Sequence, residues 1–406
     1  MTSETGKLLF TPYQNKILSL LVKENRLVFA SAFLPKGGLL NNIYIGKVTN
    51  IVKNIDAAFV EIFSGQICFL PLKECQNAIL VNRTCDGRLC VGDEIIVQVV
   101  KEAVKTKQPV LSANLSFTGS YCVVTTGKRR LGFSSKLTEE KKTALKNYLE
   151  TINPDTDREP FGYVLRTNCR ELHDDYEPLK KELESLTAQA KEILKTARYK
   201  TCYSRLFAAP ASYLSVLQSL YQSEYDEIVT DSQEIYETLC HFCSQESDGK
   251  FKFSKKIRLY EDPMLPLQKL YCVETRLSEA LSKNVWLKSG GYLVIEPTEA
   301  LTVIDVNTGK SIGKKNAEEH YFKINMEAAA EIALQLRLRN LSGMILVDFI
   351  NMQSKEQEEA LVQRLKMLLK EDSVKTDVID ITGLGLVEIT RKKKNKPLWE
   401  QLRENG

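Results

Sequence analysis

Hydrophobic and polar residues alternate in short runs between residues 42 and 117, and turn-forming residues separate these runs. Alternation with a period of two is typical of β-strands that bury one face. The pattern predicts five strands, which are Asn42–Val52, Ala57–Phe63, Gln66–Leu72, Glu94–Val100 and Val110–Phe117. Five strands within about 80 residues fit a small closed barrel of the oligonucleotide-binding type.

The middle of the chain mixes strand patterns with helical ones. Between them lies Asn153–Asp155, an Asn-Pro-Asp sequence that favours a turn. The predicted strands are Ser120–Thr125, Phe161–Thr167 and, further along, Lys256–Tyr260. The predicted helices are Thr138–Thr151 and the long charged segment Tyr176–Tyr199.

The last third has the most regular pattern, in the order β-β-α-β-α. The predicted elements are a hairpin of Gly291–Glu296 and Leu301–Val306, a helix from Ala317 to Arg339, a strand over Gly343–Ile350 and a helix from Ser354 to Glu371. Asn316 is expected to cap the first helix, whose predicted buried stripe is Phe322, Met326, Ala329, Ala333 and Leu336. This order predicts a sheet covered by helices.

The composition excludes several classes of protein. A chain of 406 residues with 43% hydrophobic and 27% charged residues can build several folded domains, so it is not a disordered tail. It contains no run of about 18 apolar residues, so we expect no membrane span. The polar start, Met1–Gly6, lacks the layout of a secretory signal, and we therefore expect a cytoplasmic protein.

Positive charge is concentrated in two runs, although the net charge is only +4. Residues 119–136 carry four basic side chains and no acid, and Arg391–Lys396 carries five basic side chains and no acid. Such runs suit a partner that bears phosphates. The alternative is a solvated surface that only aids solubility.

Two aspartates share an unusual context. Asp305 and Asp348 each lie near the carboxyl end of an apolar strand and just before a polar loop. A right-handed crossover through the intervening helix would bring both strand ends to one edge of the sheet. Two carboxylates and the amide of Asn307 are hard oxygen ligands of the kind that Mg²⁺ prefers. Alternatively, both are ordinary carboxylates bonded to loop amides or to Lys310.

Several segments of the sequence, taken together and in order, resemble the catalytic half of the ribonuclease E/G family of endoribonucleases. The resemblance extends from about residue 25 to 395. The segments are NIYIGKVTNIVKNIDAAFVEI, FLPLKE, SGGYLVIEPTEALTVIDVNTGK, EIALQLRLRNLSGMILVDFINM and VEITRKKK.

The resemblance implies a multi-domain α/β (α+β) fold. RNase H-like and DNase I-like subdomains would accompany an inserted S1 (OB-type) barrel and a 5′-end sensor region. The implied boundaries are 1–38 and 211–278 for the RNase H-like subdomain, 39–118 for the S1 barrel, 119–210 for the sensor, and 279–406 for the DNase I-like catalytic subdomain with its basic tail.

The resemblance also implies roles for individual residues. The residues that match the family's Mg²⁺ ligands are Asp305 and Asp348, and Asn307 matches the asparagine that positions the phosphate or the water. Phe59 and Phe69 match the RNA-facing aromatics of the S1 domain, although Phe in a strand is more often core. Lys107 lies in the matching basic position.

The resemblance further implies a sensor for the monophosphate at an RNA 5′ end. Arg166 and Thr167 match its side-chain ligands, and Gly119 and Val123 match the positions that contribute backbone groups. A guanidinium binds phosphate oxygens through two parallel hydrogen bonds, and a hydroxyl adds one more donor.

The sequence departs from the family in two places. It lacks the Cys-Pro-x-Cys motif after the last strand, where two subunits of the family share one zinc ion, and its only Cys-x-x-Cys, Cys240–Cys243, lies in another segment. A homo-oligomer remains possible, but the shared-zinc dimer is not expected. Asn351 replaces the second aspartate of the family's DFID-like motif, and we expect altered surroundings of the metal rather than an inactive enzyme.

These features lead to one expected function. The protein would be a Mg²⁺-dependent endoribonuclease that cleaves single-stranded RNA, leaves 5′-phosphate ends and senses 5′ monophosphates. It would act in mRNA decay and in rRNA or tRNA processing in the cytoplasm. The alternatives are a non-catalytic RNA-binding protein and a scaffold for rRNA.

Overall fold

The structure is a computed structural model. It describes residues 6–35, 38–75, 78–84, 87–103, 107–127, 130–152, 160–172, 175–220, 222–247, 256–309 and 317–403. The chain forms two compact units. One consists of Met1–Phe33, Leu220–Leu239 and Lys255–Gly406, and the other of Leu34–Ser219 and Cys240–Ser254.

The chain begins with an antiparallel meander in the first unit. Its strands are β1 (Gly6–Tyr13), β2 (Lys16–Lys23) and β3 (Arg26–Phe33). Strand β2 is buried along nearly its whole length, because the sheet is covered on both faces.

The predicted barrel follows in the second unit and is closed. Its strands are β4 (Ile43–Val52), β5 (Ala57–Phe63), β6 (Gln66–Pro71), β7 (Glu94–Lys101) and β8 (Val110–Ser112). They pair in the order β4-β5-β6-β8-β7, and β7 returns to β4 to close the ring. Its core contains Val48, Val60, Ile62, Leu70, Val97 and Leu111.

The single fifth strand predicted over Val110–Phe117 is wrong. The Ser112 hydroxyl accepts the N–H of Asn114 at 3.0 Å, and the Asn114 amide donates to Glu74 at 2.9 Å. These side-chain bonds replace ladder bonds, so the chain turns out of the barrel after β8.

A small mixed sheet and its helices complete the second unit. Its elements are β9 (Ser116–Thr118), β10 (Cys122–Thr125), β11 (Leu131–Phe133), α1 (Glu139–Ile152), β12 (Gly162–Leu165), α2 (Glu177–Ala197), β13 (Arg205–Phe207) and α3 (Ser215–Ser219). The strands pair in the order β11-β12-β10-β9, and β13 pairs with β4 of the barrel. The two predicted helices are confirmed, and the predicted strands are shorter than expected.

The chain then returns to the first sheet. The next elements are β14 (Tyr225–Thr230), α4 (Gln233–Ser247), β15 (Lys256–Leu259), α5 (Leu267–Leu270) and α6 (Val273–Leu281). Strand β14 lies parallel to both β1 and β15, which gives the order β15-β14-β1-β2-β3.

The last sheet also belongs to the first unit. Its elements are β16 (Asn284–Trp286), β17 (Tyr292–Pro297), β18 (Leu301–Asn307), α7 (Ala317–Leu338), β19 (Gly343–Asp348), α8 (Lys355–Lys370), β20 (Thr376–Ile381), β21 (Val387–Arg391) and α9 (Leu398–Arg403). The strand order is β16-β17-β18-β19-β21-β20, with β18 and β19 parallel. The predicted β-β-α-β-α order is confirmed, while the predicted cap Asn316 lies outside the described residues.

Helix α7 is buried more widely than the sequence predicted. Its most buried apolar positions are Ile324, Ala328, Ile332 and Leu336, which pack under the last sheet. Phe322 and Met326, predicted to be buried, are only partly so. The helix also contacts β3, where Arg26 forms an ion pair with Glu331. Because α7 packs against the last sheet and also contacts β3, it buries two faces. The face toward β3 carries polar side chains such as Glu331, so the apolar pattern alone did not predict its burial.

The mixed α/β class with an S1-type barrel is confirmed. Within the described part of the chain, no helix is both long enough and apolar enough to cross a membrane.

Candidate active site and RNA-binding surface

Asp305 and Asp348 occupy equivalent positions on neighbouring parallel strands. The register pairs Asp305 of β18 directly with Asp348 of β19. Partners in adjacent strands lie about 4.8 Å apart along the hydrogen-bonding direction and project to the same face of the sheet. The predicted convergence of the two aspartates is therefore present.

The face that carries these aspartates lies opposite the apolar core. Ile304, Val306 and Val347 alternate with the aspartates and are buried beneath the sheet. Asp305 is half-buried and Asp348 is exposed. Both carboxylates are thus fixed by a rigid strand pair and remain accessible from solvent.

Asn307 lies on the same face, two residues after Asp305. Its Nδ2 donates a hydrogen bond to Asp305 Oδ2 at 2.7 Å. The side-chain oxygen of Asn307 remains an acceptor or a ligand. Lys310, the other partner considered for Asp305, lies outside the described residues.

The loop after Asn307 packs tightly on the turn before β17. Gly309 has φ +67°, and a Cβ there would lie 2.2 Å from the carbonyl oxygen of Gly290. A Cβ at Gly291 would lie 2.7 Å from the carbonyl oxygen of Asn307. These contacts require glycine and hold the Asn307 backbone in place.

The donor set suits a hard cation that keeps part of its water shell. Two carboxylates and an amide oxygen are the ligands expected for Mg²⁺, and solvent access allows water to complete the octahedron. Among the described residues, no group of three or more His, Cys, Asp and Glu side chains is arranged to hold a metal ion.

The two barrel phenylalanines face outward. Phe59 of β5 and Phe69 of β6 are register partners, and their rings meet edge to face with centroids 6.1 Å apart. The neighbouring Val60, Cys68 and Leu70 point inward and are fully buried. Both phenylalanines are only half-buried, so they do not belong to the barrel core.

Lys107 belongs to the segment that leads into β8, the strand that pairs with β6 at Phe69. It precedes Pro109, whose carbonyl accepts the N–H of Phe69 at 2.8 Å. The Lys107 side chain is exposed. The barrel surface therefore combines two aromatic rings with a basic side chain, as single-strand binding sites do.

Three of the four predicted sensor residues come together at one end of the small sheet. Arg166 Nη1 donates to the carbonyl of Gly119, and the Arg166 N–H donates to Tyr121 at 2.7 Å. The Thr167 and Ser134 hydroxyls share a hydrogen bond of 2.8 Å. Val123 lies in β10 between β9 and β12, within the sheet ladder.

Glu182 on α2 organises the same loop, and the sequence did not reveal it. Its carboxylate accepts the backbone N–H groups of Ser120, Tyr121 and Cys122 at 2.7–2.8 Å. Burial raises the pKa of Glu182, although these three donors oppose the shift. The only sequence signal was its place beside the buried positions Leu179 and Leu183 of an otherwise charged helix.

The basic run at 391–396 is shorter than the sequence indicated. Arg391 is buried, and its Nε donates to Asp372 Oδ2 at 2.7 Å. Its Nη1 donates to Asn340 and to the carbonyl of Leu341. Arg391 is therefore a structural residue, whereas Lys392, Lys393 and Lys394 are exposed.

The cysteines do not build a metal site in the described part of the chain. Cys243 is buried and Cys240 is partly exposed, and neither forms a disulfide. No cysteine follows Cys272 in the sequence.

Comparison with known proteins gives consistent matches along the chain. A family model described as the Ribonuclease E/G family matches residues 116–394, and one described as the S1 RNA binding domain matches residues 40–114. Ribonuclease G of Haemophilus influenzae is 34% identical over 376 residues, which cover 89% of this chain and 74% of that protein. Ribonuclease G of Escherichia coli K12 is 32% identical with the same coverage. Ribonuclease E of Synechocystis is 32% identical over 366 residues, or 89% of this chain and 53% of its own length.

Proposed function

Because the chain belongs to the ribonuclease E/G family and is an endoribonuclease of RNA processing, we propose that it hydrolyses single-stranded RNA with Mg²⁺ and leaves 5′-phosphate ends. The observation that carries this proposal is the register of Asp305 with Asp348 on one accessible face. Mg²⁺ bound there would supply an activated water and neutralise charge on the phosphate.

The residues around the proposed metal site would orient the metal ligands and the attacked phosphate. The parallel strand pair fixes the spacing of Asp305 and Asp348, and the Asn307 amide holds Asp305 Oδ2 through its 2.7 Å hydrogen bond. The Asn307 side chain thereby stands beside the two carboxylates, where it would position the attacked phosphate or the water. Asn351, which follows β19, would alter the surroundings of the metal without removing a ligand.

The barrel would hold the substrate strand. Stacking on Phe59 and Phe69 is worth about 1–3 kcal/mol per base and tolerates any sequence, and Lys107 would neutralise a backbone phosphate. The stacking contacts favour unpaired RNA, because bases inside a duplex do not expose their faces to aromatic side chains.

The sensor region would select RNA with a 5′ monophosphate. Arg166, held by the Gly119 carbonyl, and Thr167, held by Ser134, supply a guanidinium and a hydroxyl for the terminal phosphate. Val123 would add a backbone contact. Such selectivity suits an enzyme of mRNA decay and of rRNA or tRNA processing in the cytoplasm.

The proposed subdomains keep the boundaries that the resemblance implies, with residues 1–38 and 211–278 in the RNase H-like part. Residues 39–118 would be the S1 barrel, residues 119–210 the sensor and residues 279–406 the DNase I-like catalytic part. A homo-oligomer without the shared zinc remains part of the proposal.

A cleavage assay tests the proposal directly. A short A/U-rich RNA labelled at its 5′ end is incubated with the protein in Mg²⁺ and, separately, in EDTA. The proposal requires internal cleavage in Mg²⁺ only, with products whose new 5′ ends are phosphorylated. Binding without cleavage in both conditions would favour the non-catalytic alternative.

A further inference from the structure

A pair of aromatic side chains lies on the same face of the last sheet as the two aspartates. Trp286 of β16 is the register partner of Tyr292 of β17, and Tyr292 is in turn the register partner of Asn307. The rings of Trp286 and Tyr292 are in contact, with centroids 5.1 Å apart and planes tilted by 47°. We refer to Trp286 and Tyr292 as the aromatic pair.

The register gives the distance from the aromatic pair to the proposed catalytic residues. Side chains directly opposite each other on antiparallel strands lie about 4.5–5.5 Å apart, and diagonal neighbours about 7–8 Å apart. Tyr292 is therefore in direct reach of Asn307 and is a diagonal neighbour of Asp305. Trp286, the register partner of Tyr292 on β16, lies one strand further from Asn307.

The exposure of this pair is unusual for its residue type. Trp286 is 71% exposed, whereas the residues on either side of it, Val285 and Leu287, are buried at 9% and 7% exposure. An aromatic side chain of this size contributes most to stability when it is buried. An exposed Trp fixed by register on a sheet is therefore available to a ligand.

The pair is also held rigidly. The turn that joins Trp286 to Tyr292 is closed by the Leu287 N–H, which donates to the Gly291 carbonyl at 2.9 Å. Glu327 of α7 accepts the N–H groups of Lys288 and Ser289 at 2.6 and 3.0 Å. Helix α7 also packs beneath β18 and β19, so one helix supports both the aromatic pair and the aspartates.

We propose that the aromatic pair is a base-stacking subsite that holds a nucleotide beside the scissile phosphate of single-stranded RNA. This inference rests on the proposed position of the active site at Asp305 and Asp348. Every base offers an aromatic face, so stacking would position the strand at the metal site without requiring a sequence. It is separate from Phe59 and Phe69, which belong to the barrel.

The test combines a protein variant with substrates that lack one base. Trp286→Ala is expected to lower kcat/KM on a short unstructured RNA by about 5- to 100-fold, and Trp286→Phe to restore most of it. A series of RNAs, each with one abasic nucleotide, is then cleaved by both proteins. When the missing base is the one that stacks on the aromatic pair, next to the cleavage site, the wild type should cleave this substrate as slowly as Trp286→Ala cleaves the intact RNA. Trp286→Ala itself should cleave the abasic and the intact RNA at the same rate.

A direct binding signal accompanies the kinetics. The chain contains two tryptophans, so Trp399→Phe leaves Trp286 as the only tryptophan fluorophore. An oligoadenylate added in EDTA should quench its emission. The control variant is Tyr199→Ala, which removes another highly exposed aromatic side chain and should leave kcat/KM unchanged.

Three results would overturn the inference. The first is an unchanged kcat/KM in Trp286→Ala. The second is a loss of kcat/KM in Trp286→Ala, relative to the wild type, that is equal on every abasic substrate, because such a loss indicates a structural role. A loss that follows a change in sedimentation coefficient would instead assign the surface to a second copy of the chain. In each case Mg²⁺-dependent cleavage by the wild type still stands, whereas a wild type that does not cleave refutes the proposed function itself.

Discussion

Asp305 and Asp348 are direct register partners on adjacent parallel strands, although the whole of helix α7 separates them along the chain. A βαβ connection places the carboxyl ends of its two strands at one edge of the sheet. The two carboxylates therefore share one solvent-accessible face, and Asn307 is bonded to one of them.

Asp305→Asn and Asp348→Asn are each expected to lower kcat by at least about 100-fold, because a neutral amide is a much weaker Mg²⁺ ligand than a carboxylate. RNA affinity should change little, since the barrel is untouched. Single-turnover cleavage and fluorescence anisotropy measure the two effects. Asp377→Asn, which removes an exposed carboxylate from β20 of the same sheet, is the matched control. Full activity in either active-site variant would refute the metal assignment.

Phe59→Ala and Phe69→Ala are expected to weaken binding of single-stranded RNA by about 1–3 kcal/mol without changing its salt dependence, because stacking releases no counterions. Lys107→Ala should instead reduce the slope of log K against log salt by about 0.7, since it removes one phosphate contact. Titrations at several salt concentrations separate the two. An equal change of slope in all three variants would contradict the assigned roles.

Arg166→Ala is expected to erase the advantage of 5′-monophosphate over 5′-hydroxyl substrates, while cleavage of the hydroxyl substrate stays unchanged. Arg166→Lys should keep part of the advantage, because Lys retains the charge but not the two parallel donors. Competition between differently ended RNAs gives the ratio. Arg170→Ala, at an exposed arginine of the same turn, serves as the control. Survival of the preference in Arg166→Ala would show that the pocket is misassigned.

Asp372→Ala is expected to destabilise the first unit by about 3–5 kcal/mol, because it leaves the buried Arg391 guanidinium without its carboxylate. Lys393→Ala, in the adjoining exposed run, should stay within about 0.5 kcal/mol of the wild type. Urea unfolding measures both. Equal stability of the two variants would mean that the buried ion pair is not required.

We expect the contribution of Glu327 to stability, made through the turn between Trp286 and Tyr292, to depend on pH. Burial would raise the pKa of Glu327, but hydrogen bonds from Ser289 and Lys288 outweigh it and hold the pKa below 4.5. A lowered pKa stabilises the fold above pH 4.5, and this contribution disappears as the pH falls through the folded-state pKa. Glu327→Gln should therefore be less stable than the wild type at pH 7, and the two should converge in acid. Urea unfolding from pH 7 into acid measures the difference in stability between Glu327→Gln and the wild type, and Glu299→Gln is the control. A difference that stays constant at all pH values would contradict the prediction.

The sequence by itself predicted the elements that depend on local pattern. The alternation in Ala57–Phe63 and Gln66–Leu72 was enough to identify barrel strands, and the apolar runs before Asp305 and Asp348 were enough to identify two strand ends. Turn residues and side-chain periodicity act within a few residues, so these features are readable without a structure.

The tertiary structure decided which residues meet. Arg391 looked like part of a basic surface, but strand pairing buries it against Asp372. Glu182 looked like one charge of a solvated helix, but packing places it against a loop. Trp286 lies outside every strand that the sequence predicted, and the structure places it beside Tyr292. Contacts between distant segments depend on how the whole chain buries its apolar surface, and no local pattern contains that information.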